Sequence, residues 1–196
     1  MFKKLRYKKT ILIVIAIFFF IILISDNRYT KPHIAKITID NIITQDSFRY
    51  EKLEELSENK NTKAVIVFIN SPGGTVVGGE TLYKSIKNIS QQKPIVSVMG
   101  EVATSAAYMA SLGSDYIFAQ EGTITGSVGV LVLNTEITEL AKKIGVSTEI
   151  IKSGDLKASP SPLEKMTPKA REQMKKIVKE ISKNFIDLVK KERKLD

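Results

Sequence analysis

The sequence predicts an α/β fold with a largely parallel sheet, and two observations carry that prediction. Segments with strand character alternate with segments of helical periodicity from residue 34 to the end of the chain, as in folds built from strand–helix–strand units. One strand candidate, 64–69, is apolar at every position, which is typical of a parallel strand that is covered on both faces. With 43% hydrophobic and 26% charged residues over 196 positions, the chain suits one globular domain with a substantial core.

The strand and helix candidates follow one another in a regular order. β-Branched residues make 34–43 the first strand candidate, and a helix candidate at 47–58 follows it. The apolar run 64–69 leads into a second helix at 75–89, which has one apolar stripe. The remaining candidates are strands at 95–98, 116–119, 128–133 and 148–151, and helices at 105–112 and 135–144.

A long amphipathic helix is predicted near the end of the chain. Thr167 is suited to cap its N-terminus, and Pro168 then occupies the first helical position. Apolar residues recur at helical spacing from Met174 to Val189. The opposite, Lys-rich face is interpreted as solvated surface.

The N-terminus carries the pattern of a membrane anchor. Basic residues at 1–9 precede the apolar run 11–24, and no pair of small residues suited to signal-peptide cleavage follows that run. We therefore expect a basic cytoplasmic segment at 1–9, an uncleaved signal anchor or transmembrane helix at 10–25, a linker at 26–33 and a folded domain at 34–196. A cleaved signal peptide is the alternative. Because the positive end of an anchor stays in the cytoplasm, the folded domain would lie on the other side of the membrane.

Composition and charge exclude several kinds of site. The chain has no cysteine, which removes disulfides, thiolate metal ligands and cysteine nucleophiles. The net charge of +9 comes from the two ends, 1–9 and 163–196, whereas the body between them is close to neutral, so no nucleic acid partner is expected. The single histidine, His33, lies in the predicted linker and is interpreted as solvated. Since no other residues have metal-ligand spacing, no metal or other cofactor is expected.

Two segments contain residues that could carry out acyl transfer. The turn Asn-Ser-Pro-Gly-Gly at 70–74 follows the buried strand, and its glycines allow backbone N–H groups to point at a developing oxyanion. An ordinary strand-to-helix turn is the alternative for this segment. About 30 residues later, within the span of a single strand–helix–strand unit, Ser105 precedes a helix candidate and could be a nucleophile whose next N–H is a second oxyanion donor. A simple N-cap is the alternative for Ser105, and Thr104 is the rival hydroxyl.

The residues available as a base point to lysine. With no cysteine and one histidine in the chain, a serine nucleophile would be activated by a lysine that has lost its proton through desolvation. Lys157 lies among small residues and prolines in the loop that follows the candidate strand 148–151, and it is the first candidate. Lys152, in the same segment, is a weaker candidate. Spacing alone does not decide between them.

Five short segments stand in one order along the chain: Asn-Ser-Pro-Gly-Gly at 70–74, Ala-Thr-Ser-Ala-Ala-Tyr at 103–108, Thr-Gly-Ser-Val-Gly at 125–129, Lys-Ser-Gly followed by Lys at 152–157, and Met-Thr at 166–167. In this order they resemble the signal peptide peptidase A family (SppA), the membrane-bound serine–lysine peptidases of bacteria. The Clp protease subunits and the crotonase enzymes share the glycine-rich turn, so the specificity lies in the ordered set, the lysine segment and the N-terminal anchor. The resemblance runs from about Ile34 to about Arg193 and implies a Clp/crotonase-like core with flanking helices, preceded by a membrane helix.

The resemblance implies a role for each matching residue. Ser105 would be the nucleophile and Lys157 its general base, while Ser127 would orient the lysine ammonium. The oxyanion hole would be formed by the backbone N–H groups of Gly73, Gly74 and Ala106.

The resemblance also implies a substrate class, an assembly and a location. The substrates would be signal-peptide remnants and other short or unfolded peptides, cleaved after small or apolar residues by a serine endopeptidase. Copies of the chain would form a ring in which the serine and the lysine of one active site come from different protomers. The chain would cross the lipid bilayer of the bacterial cytoplasmic membrane once, with the catalytic domain on the outer side. Neither a metal nor a nucleotide is implied.

Two departures from the family pattern keep other functions open. The family commonly has glycines after the nucleophile, where this chain has Ala106 and Ala107. The family's domain also usually continues for ~50 residues beyond the long helix, a length within one normal domain, so we expect a C-terminally short form. The alternative function is a catalytically degenerate homologue that binds peptides or helps to assemble a membrane complex. A crotonase-type acyl-thioester enzyme is a third hypothesis, which the anchor disfavours.

Overall fold

A parallel sheet of five strands organises the computed structural model, which describes residues 14–19 and 31–195. Strands β1, β2 and β3 lie side by side in that order, and the two short strands β4 and β5 both pair with β3, at its beginning and at its end. Every pairing is parallel, which confirms the predicted class. The strands are β1 (His33–Asp40), β2 (Thr62–Ser71), β3 (Ile95–Thr104), β4 (Tyr116–Phe118) and β5 (Ile124–Gly126).

Helices connect the strands and begin at the capping residues that the sequence contains. The side chain of Thr75 accepts a hydrogen bond from the Gly78 N–H, and that of Thr167 accepts one from the Ala170 N–H. Pro168 occupies the first turn of the long last helix, as predicted. The helices are α1 (Ser47–Glu58), α2 (Val76–Ser90), α3 (Ala106–Ser111), α4 (Thr138–Lys143) and α5 (Pro168–Arg193).

The core lies between one face of the sheet and the helices α1, α2 and α3. Side chains on a strand point alternately to opposite faces, so every second residue of β2 is fully buried against the helices, whereas Ile66 and Phe68 point to the other face and are half-buried. The prediction that 64–69 is covered on both faces is therefore wrong for the second face. The fully buried apolar residues of the core include Ile39, Leu53, Val65, Val67, Ile69, Leu82, Ile86, Ile89 and Ile95.

Apolar packing and polar contacts both attach the long helix α5 to the domain. Phe185 is buried against Met109 and Leu112. Near the end of the helix, Glu192 accepts hydrogen bonds from the Tyr83 hydroxyl at 2.8 Å and from the Lys87 ammonium at 2.7 Å, both on α2. Burial, followed by the hydrogen bond to Glu192, raises the pKa of Tyr83 to about 12.

Two predicted strands are wrong. Residues 128–133 and 148–151 are not strands, and Leu131, Leu133 and Ile151 are 82%, 83% and 92% exposed. Their apolar sequence is typical of a strand, but neither segment pairs with a strand of the described sheet, and a strand without a partner leaves its backbone groups unpaired. The helix predicted at 135–144 is shorter in the structure, where it is α4. Strand β3 continues past the predicted end at residue 98 to Thr104, and β5 was not predicted.

The predicted anchor at 10–25 lies mostly outside the described residues. Residues 14–19, which are described, are helical. None of the helices within the described ranges is both long enough and apolar enough to cross a membrane. The predicted linker at 26–33 is described only from residue 31. His33 belongs to β1, and its Nδ1–H donates to the Lys31 carbonyl at 2.9 Å while Nε2 accepts from the Thr62 hydroxyl at 3.1 Å, so its interpretation as a solvated linker residue is wrong.

Candidate active site

The glycine turn follows β2 and is fixed by hydrogen bonds to the segment between β1 and α1. The Ser71 hydroxyl donates to the Asn41 carbonyl at 2.5 Å. The Ile43 N–H donates to the Gly73 carbonyl, and the Thr75 N–H donates back to the Ile43 carbonyl, both at 2.8 Å. The turn between β2 and α2 is therefore held from both sides before any ligand is present.

Close backbone approach explains both glycines of the turn. Gly73 has a φ of +108°, and a Cβ added to it would lie 2.8 Å from Ser105 Cβ and 3.2 Å from the Ala106 N. A Cβ on Gly74 would lie 1.9 Å from the Ile43 carbonyl oxygen. An ordinary turn would not need this proximity to Ser105, so the geometry favours the interpretation as part of a site.

Ser105 has an unusual backbone conformation at the junction of β3 and α3. Its φ is 54° and its ψ is −120°, a region that residues with a side chain rarely occupy. Its side chain makes no capping hydrogen bond, which removes the N-cap alternative. The rival hydroxyl, that of Thr104, donates to the Pro72 carbonyl at 2.9 Å and is engaged in holding the turn. Ser105 therefore carries its hydroxyl at a strained, partly exposed junction between a strand and a helix. The nucleophile of many serine hydrolases is held at a junction of this kind.

The residue after Ser105 supplies an N–H at the start of α3. The Ser105 carbonyl accepts the first helical hydrogen bond, from the Met109 N–H at 2.9 Å, so the Ala106 N–H has no acceptor within the helix. The Ala106 methyl group fits because Gly79 of α2 faces it, and a Cβ on Gly79 would lie 2.9 Å from the Ala106 Cβ. The alanine that departs from the family pattern is thus accommodated by a glycine on the neighbouring helix.

The predicted oxyanion donors differ in their present partners. The Gly73 N–H donates to the Ser71 hydroxyl oxygen at 3.1 Å within the turn. The Ala106 N–H and the Gly74 N–H adjoin the same turn, with no such bond to Ser71. Of the three predicted donors, Gly73 would have to exchange its bond to Ser71 for a bond to an oxyanion.

Ser127 reaches the site through the pairing of β5 with β3. Thr104 is paired with Gly126, and the Ser105 N–H donates to the Gly126 carbonyl at 2.8 Å. Ser127, the next residue, has a φ of 53° and is exposed. The structure therefore brings the glycine turn, Ser105, Ala106 and Ser127 to one end of the sheet, where the strands have their carboxyl ends.

Lys157 makes no bond to the other predicted site residues. It is exposed in the loop between α4 and α5, its N–H donates to the Gly154 carbonyl at 3.0 Å, and within residues 31–195 its ammonium forms no hydrogen bond or ion pair with Ser105 or Ser127. The weaker candidate, Lys152, is partly buried and is paired with the Glu164 carboxylate, which ties its side chain to the same loop. Within the described residues, neither candidate lysine is bonded to Ser105.

Sequence reasoning missed the part played by Asn70. Its side-chain oxygen accepts hydrogen bonds from the Glu101 N–H at 3.0 Å and from the Val102 N–H at 3.2 Å. The register of β2 with β3 shifts at this point: Ile69 is opposite Met99, and the next pair, Ser71 opposite Ala103, lies two positions further along β2 but four further along β3. Asn70 therefore stabilises the irregular pairing of β2 with β3 through which the end of β3 reaches the glycine turn. The only signal in the sequence is its place at the head of the turn.

A serine at a strained strand-to-helix turn, beside a glycine turn on a parallel sheet, is the class of site that a serine hydrolase uses. The sequence matches the model of Clp protease over residues 34–121 and the model of peptidase family S49 over residues 87–196. The second match covers more than half of the chain, and the chain belongs to peptidase family S49.

Several curated proteins are similar to this chain. A putative protease of Methanocaldococcus jannaschii is 34% identical over 143 residues, which are 73% of this chain and 46% of that protein. The putative signal peptide peptidase SppA of Enterococcus faecium is 31% identical over 181 residues, which are 88% of this chain and 53% of that protein. The chain thus spans about half the length of these relatives.

Solved structures of other proteins are also similar to this chain. A ClpP1 mutant from Listeria monocytogenes is 16% identical, with a TM-score of 0.48 over 82% of this chain and 73% of that one. A mutant of the 1510-N membrane-bound stomatin-specific protease is 18% identical, with a TM-score of 0.44 over 82% of this chain and 70% of that one.

Proposed function

We propose that this chain is a membrane-anchored serine endopeptidase that cleaves short or unfolded peptides, such as signal-peptide remnants, through a Ser105–Lys157 dyad. The observation that carries the proposal is the conformation of Ser105, with φ 54° and ψ −120° beside the glycine turn. Strain of this kind in a folded protein is concentrated at functional sites, because only a surrounding structure selected for it keeps it in place. Membership of peptidase family S49 supports the same reaction class.

In the proposed reaction, the Ser105 hydroxyl oxygen attacks the carbonyl carbon of a peptide bond. The negative charge on the carbonyl oxygen is stabilised by the Ala106 N–H and by N–H groups of the turn at Gly73 and Gly74. Lys157 accepts the serine proton and passes it to the leaving amine, and water then releases the acyl group from Ser105. The Ser127 hydroxyl would orient the lysine side chain.

The base of this dyad would come from a second copy of the chain. Lys157 is exposed in the single chain, whereas a lysine base has to be shielded from water to be neutral near pH 7. Exposed apolar side chains lie on the segments that precede it along the chain, including Leu131, Leu133 and Ile151. Contiguous exposed apolar surface is typical of a protein–protein contact, and a neighbouring copy packed there would bury the lysine. A homo-oligomeric ring, with peptide substrates, is the assembly we propose.

The anchor is proposed from the sequence. The apolar run 11–24 behind a basic segment would hold the chain in the cytoplasmic membrane as a single-pass protein. The folded domain would then lie on the outer side, where it would meet peptides released in or near the bilayer.

Labelling with a fluorophosphonate probe tests the dyad and the shared site together. We expect the full-length chain in detergent to be labelled, and Ser105→Ala and Lys157→Ala each to remain unlabelled. Co-expression of the two variants should restore part of the labelling, because a serine from one copy can meet a lysine from the other. Lys152→Ala serves as the control for the rival lysine.

The possible results separate the alternatives. Labelling of Lys157→Ala together with loss in Lys152→Ala would overturn the lysine assignment. Single variants that are unlabelled and stay unlabelled on co-expression, although both are folded and oligomeric, would overturn the shared site. A folded, oligomeric chain that is never labelled would favour the degenerate homologue.

A further inference from the structure

Lysines surround the amino-terminal edge of the sheet, at the opposite end from Ser105. Lys31 precedes β1, Lys60 and Lys63 lie at the start of β2, and Lys93 lies two residues before β3. Because the strands are parallel and adjacent, these positions meet at one edge. We call these four lysines the basic edge.

Direct contacts hold part of the basic edge together. The Lys93 ammonium donates to the Leu56 carbonyl at 2.7 Å and to the Asn59 carbonyl at 2.9 Å, at the end of α1. The Lys63 ammonium donates to the Lys60 carbonyl at 2.9 Å. Burial, followed by the neighbouring positive charge of Lys63, lowers the pKa of Lys93. These lysines therefore lie close enough to repel one another, and an anionic partner would relieve that repulsion.

The last turn of α5 adds positive charge on the same side. Glu192 is bound by Tyr83 and Lys87 in the second half of α2, which ends just before the start of β3. Lys191 and Arg193, on either side of Glu192, are exposed. The last turn of α5 therefore lies beside the second half of α2, from which the chain leads to Lys93 at the basic edge.

Several acidic residues lie at the other end of the sheet, near Ser105. Asp40 ends β1, Glu101 lies in the irregular part of β3, and Glu121 precedes β5, so all three are near the Ser105 end. At the basic edge the acidic side chains include Glu55, which is paired with Lys52, together with Glu58 and Asp115, whose carboxylate accepts the Ile95 N–H at 2.9 Å. Unequal charge at the two ends of the sheet would orient the domain on a charged surface.

The position of the chain's apolar run places a membrane next to the basic edge. Only residues 25–30 separate the run 11–24 from Lys31, and a fully extended segment of that length reaches about 25 Å. The run is also shorter than the ~20 residues that usually span a bilayer. Basic residues beside the bilayer would add electrostatic attraction to the insertion of this short run.

We propose that the basic edge rests on an anionic phospholipid surface and thereby turns Ser105 away from the bilayer. The proposal rests on the proposed anchoring of residues 10–25, which brings the lipid surface within reach. Attraction between each lysine and anionic headgroups acts over roughly a Debye length, about 8–10 Å at moderate salt. A site that faces away from the lipid would receive peptides from the aqueous side.

Energy transfer from two labelled positions to labelled lipid headgroups measures this orientation. The chain has no cysteine, so single cysteines can be introduced at exposed glutamines of opposite ends, Gln91→Cys near the basic edge and Gln120→Cys between β4 and β5. The full chain is reconstituted in vesicles of phosphatidylcholine alone or mixed with phosphatidylglycerol. Lys60→Gln/Lys63→Gln removes edge charge, and Lys175→Gln/Lys176→Gln removes the same charge from the exposed side of α5 as the matched control.

We expect transfer from Gln91→Cys to exceed that from Gln120→Cys by at least about twofold in the anionic vesicles. The difference should shrink in neutral vesicles, at about 0.5 M salt, and in Lys60→Gln/Lys63→Gln but not in the control. Equal energy transfer from both labels, or a difference that does not depend on the charge of the lipid, overturns the proposal. Salt-sensitive binding of a DNA duplex that needs Lys60 and Lys63, without lipid dependence, would overturn it in favour of a nucleic-acid surface. Fluorophosphonate labelling of the same vesicles reports the proposed peptidase separately, so failure of the peptidase and failure of the orientation are distinguishable.

Discussion

Replacement of Ser105 by glycine tests whether the candidate nucleophile is strained. Ser105 adopts φ 54° and ψ −120°, where its Cβ is crowded by the preceding and following peptide groups. Glycine lacks that Cβ and adopts such angles readily. Ser105→Gly should therefore stabilise the fold, although it removes the hydroxyl on which the proposed activity depends.

The size of the effect follows from two opposing contributions. A non-glycine residue held in such a region costs about 1–3 kcal/mol. Glycine gains extra freedom in the unfolded chain, which costs about 0.5–1 kcal/mol. The free energy of unfolding should therefore rise by about 0.5–2 kcal/mol in Ser105→Gly. For a chain of this length that corresponds to an increase of roughly 1–8 °C in Tm.

Ser105→Ala is the matched control, because it removes the hydroxyl and keeps the Cβ. The Ser105 side chain makes no capping hydrogen bond, so alanine should change stability by less than about 0.5 kcal/mol. Thermal and denaturant unfolding of the three proteins in the same detergent would be compared. If Ser105→Gly is no more stable than Ser105→Ala, the serine is not strained, and the argument that its conformation marks a functional site fails.

Three further predictions test the surroundings of Ser105 and the attachment of α5. Asn70→Ala should lower the free energy of unfolding by about 1–3 kcal/mol and slow fluorophosphonate labelling, because two N–H groups of β3 lose their acceptor. Asn70→Asp keeps an acceptor and should restore labelling. An Asn70→Asp protein that is stable but not labelled would contradict this role. Gly79→Ala would bring its Cβ within 2.9 Å of the Ala106 Cβ and should destabilise by about 1–3 kcal/mol, whereas Gly122→Ala, with open space around it, should be neutral in the same unfolding assay. For Glu192, burial alone would raise the pKa, but the hydrogen bonds from Lys87 and Tyr83 outweigh it and lower the pKa. The stabilisation of the fold by Glu192 is therefore present above the unfolded pKa of about 4.3 and is lost as pH falls through the lower folded pKa. Glu192→Gln should reduce the loss of unfolding free energy at acid pH. Unchanged acid sensitivity in that variant would show that Glu192 does not contribute.

The alternation of strands and helices predicted the fold class because most elements form from local patterns. The apolar run of β2, the stripe of α2 and the cap-and-proline start of α5 each have a local signal, and each element lies within a few residues of its predicted position. The segments 128–133 and 148–151 were wrong for a non-local reason. An apolar segment becomes a strand only beside a free sheet edge, and the sequence does not reveal that β4 and β5 occupy the outer edge of β3.

The site was predictable in its residue types but not in its geometry. The order of the glycine turn and the serine along the chain predicted that they would meet, and they do. What separates Ser105 from Thr104 is a hydrogen bond between Thr104 and the Pro72 carbonyl, which no local pattern encodes. The role of Asn70 likewise depends on the register of two strands. The position of Lys157 relative to Ser105 depends on packing beyond the single chain and stays a prediction.

The convergence of three distant stretches at Ser105 bears on when the serine becomes reactive. The turn at Pro72 and Gly73, on one side, and Gly126, on the other, reach the serine region only after segments some 20–30 residues apart have been brought together. Each closure costs entropy that only the finished fold recovers. If Ser105 is the nucleophile we propose, a chain that is still being made, or one that has partly unfolded, has the hydroxyl without the strain or the amide donors. Immature copies crowded on one membrane would then be unable to cut each other, and cleavage would begin only after folding is complete.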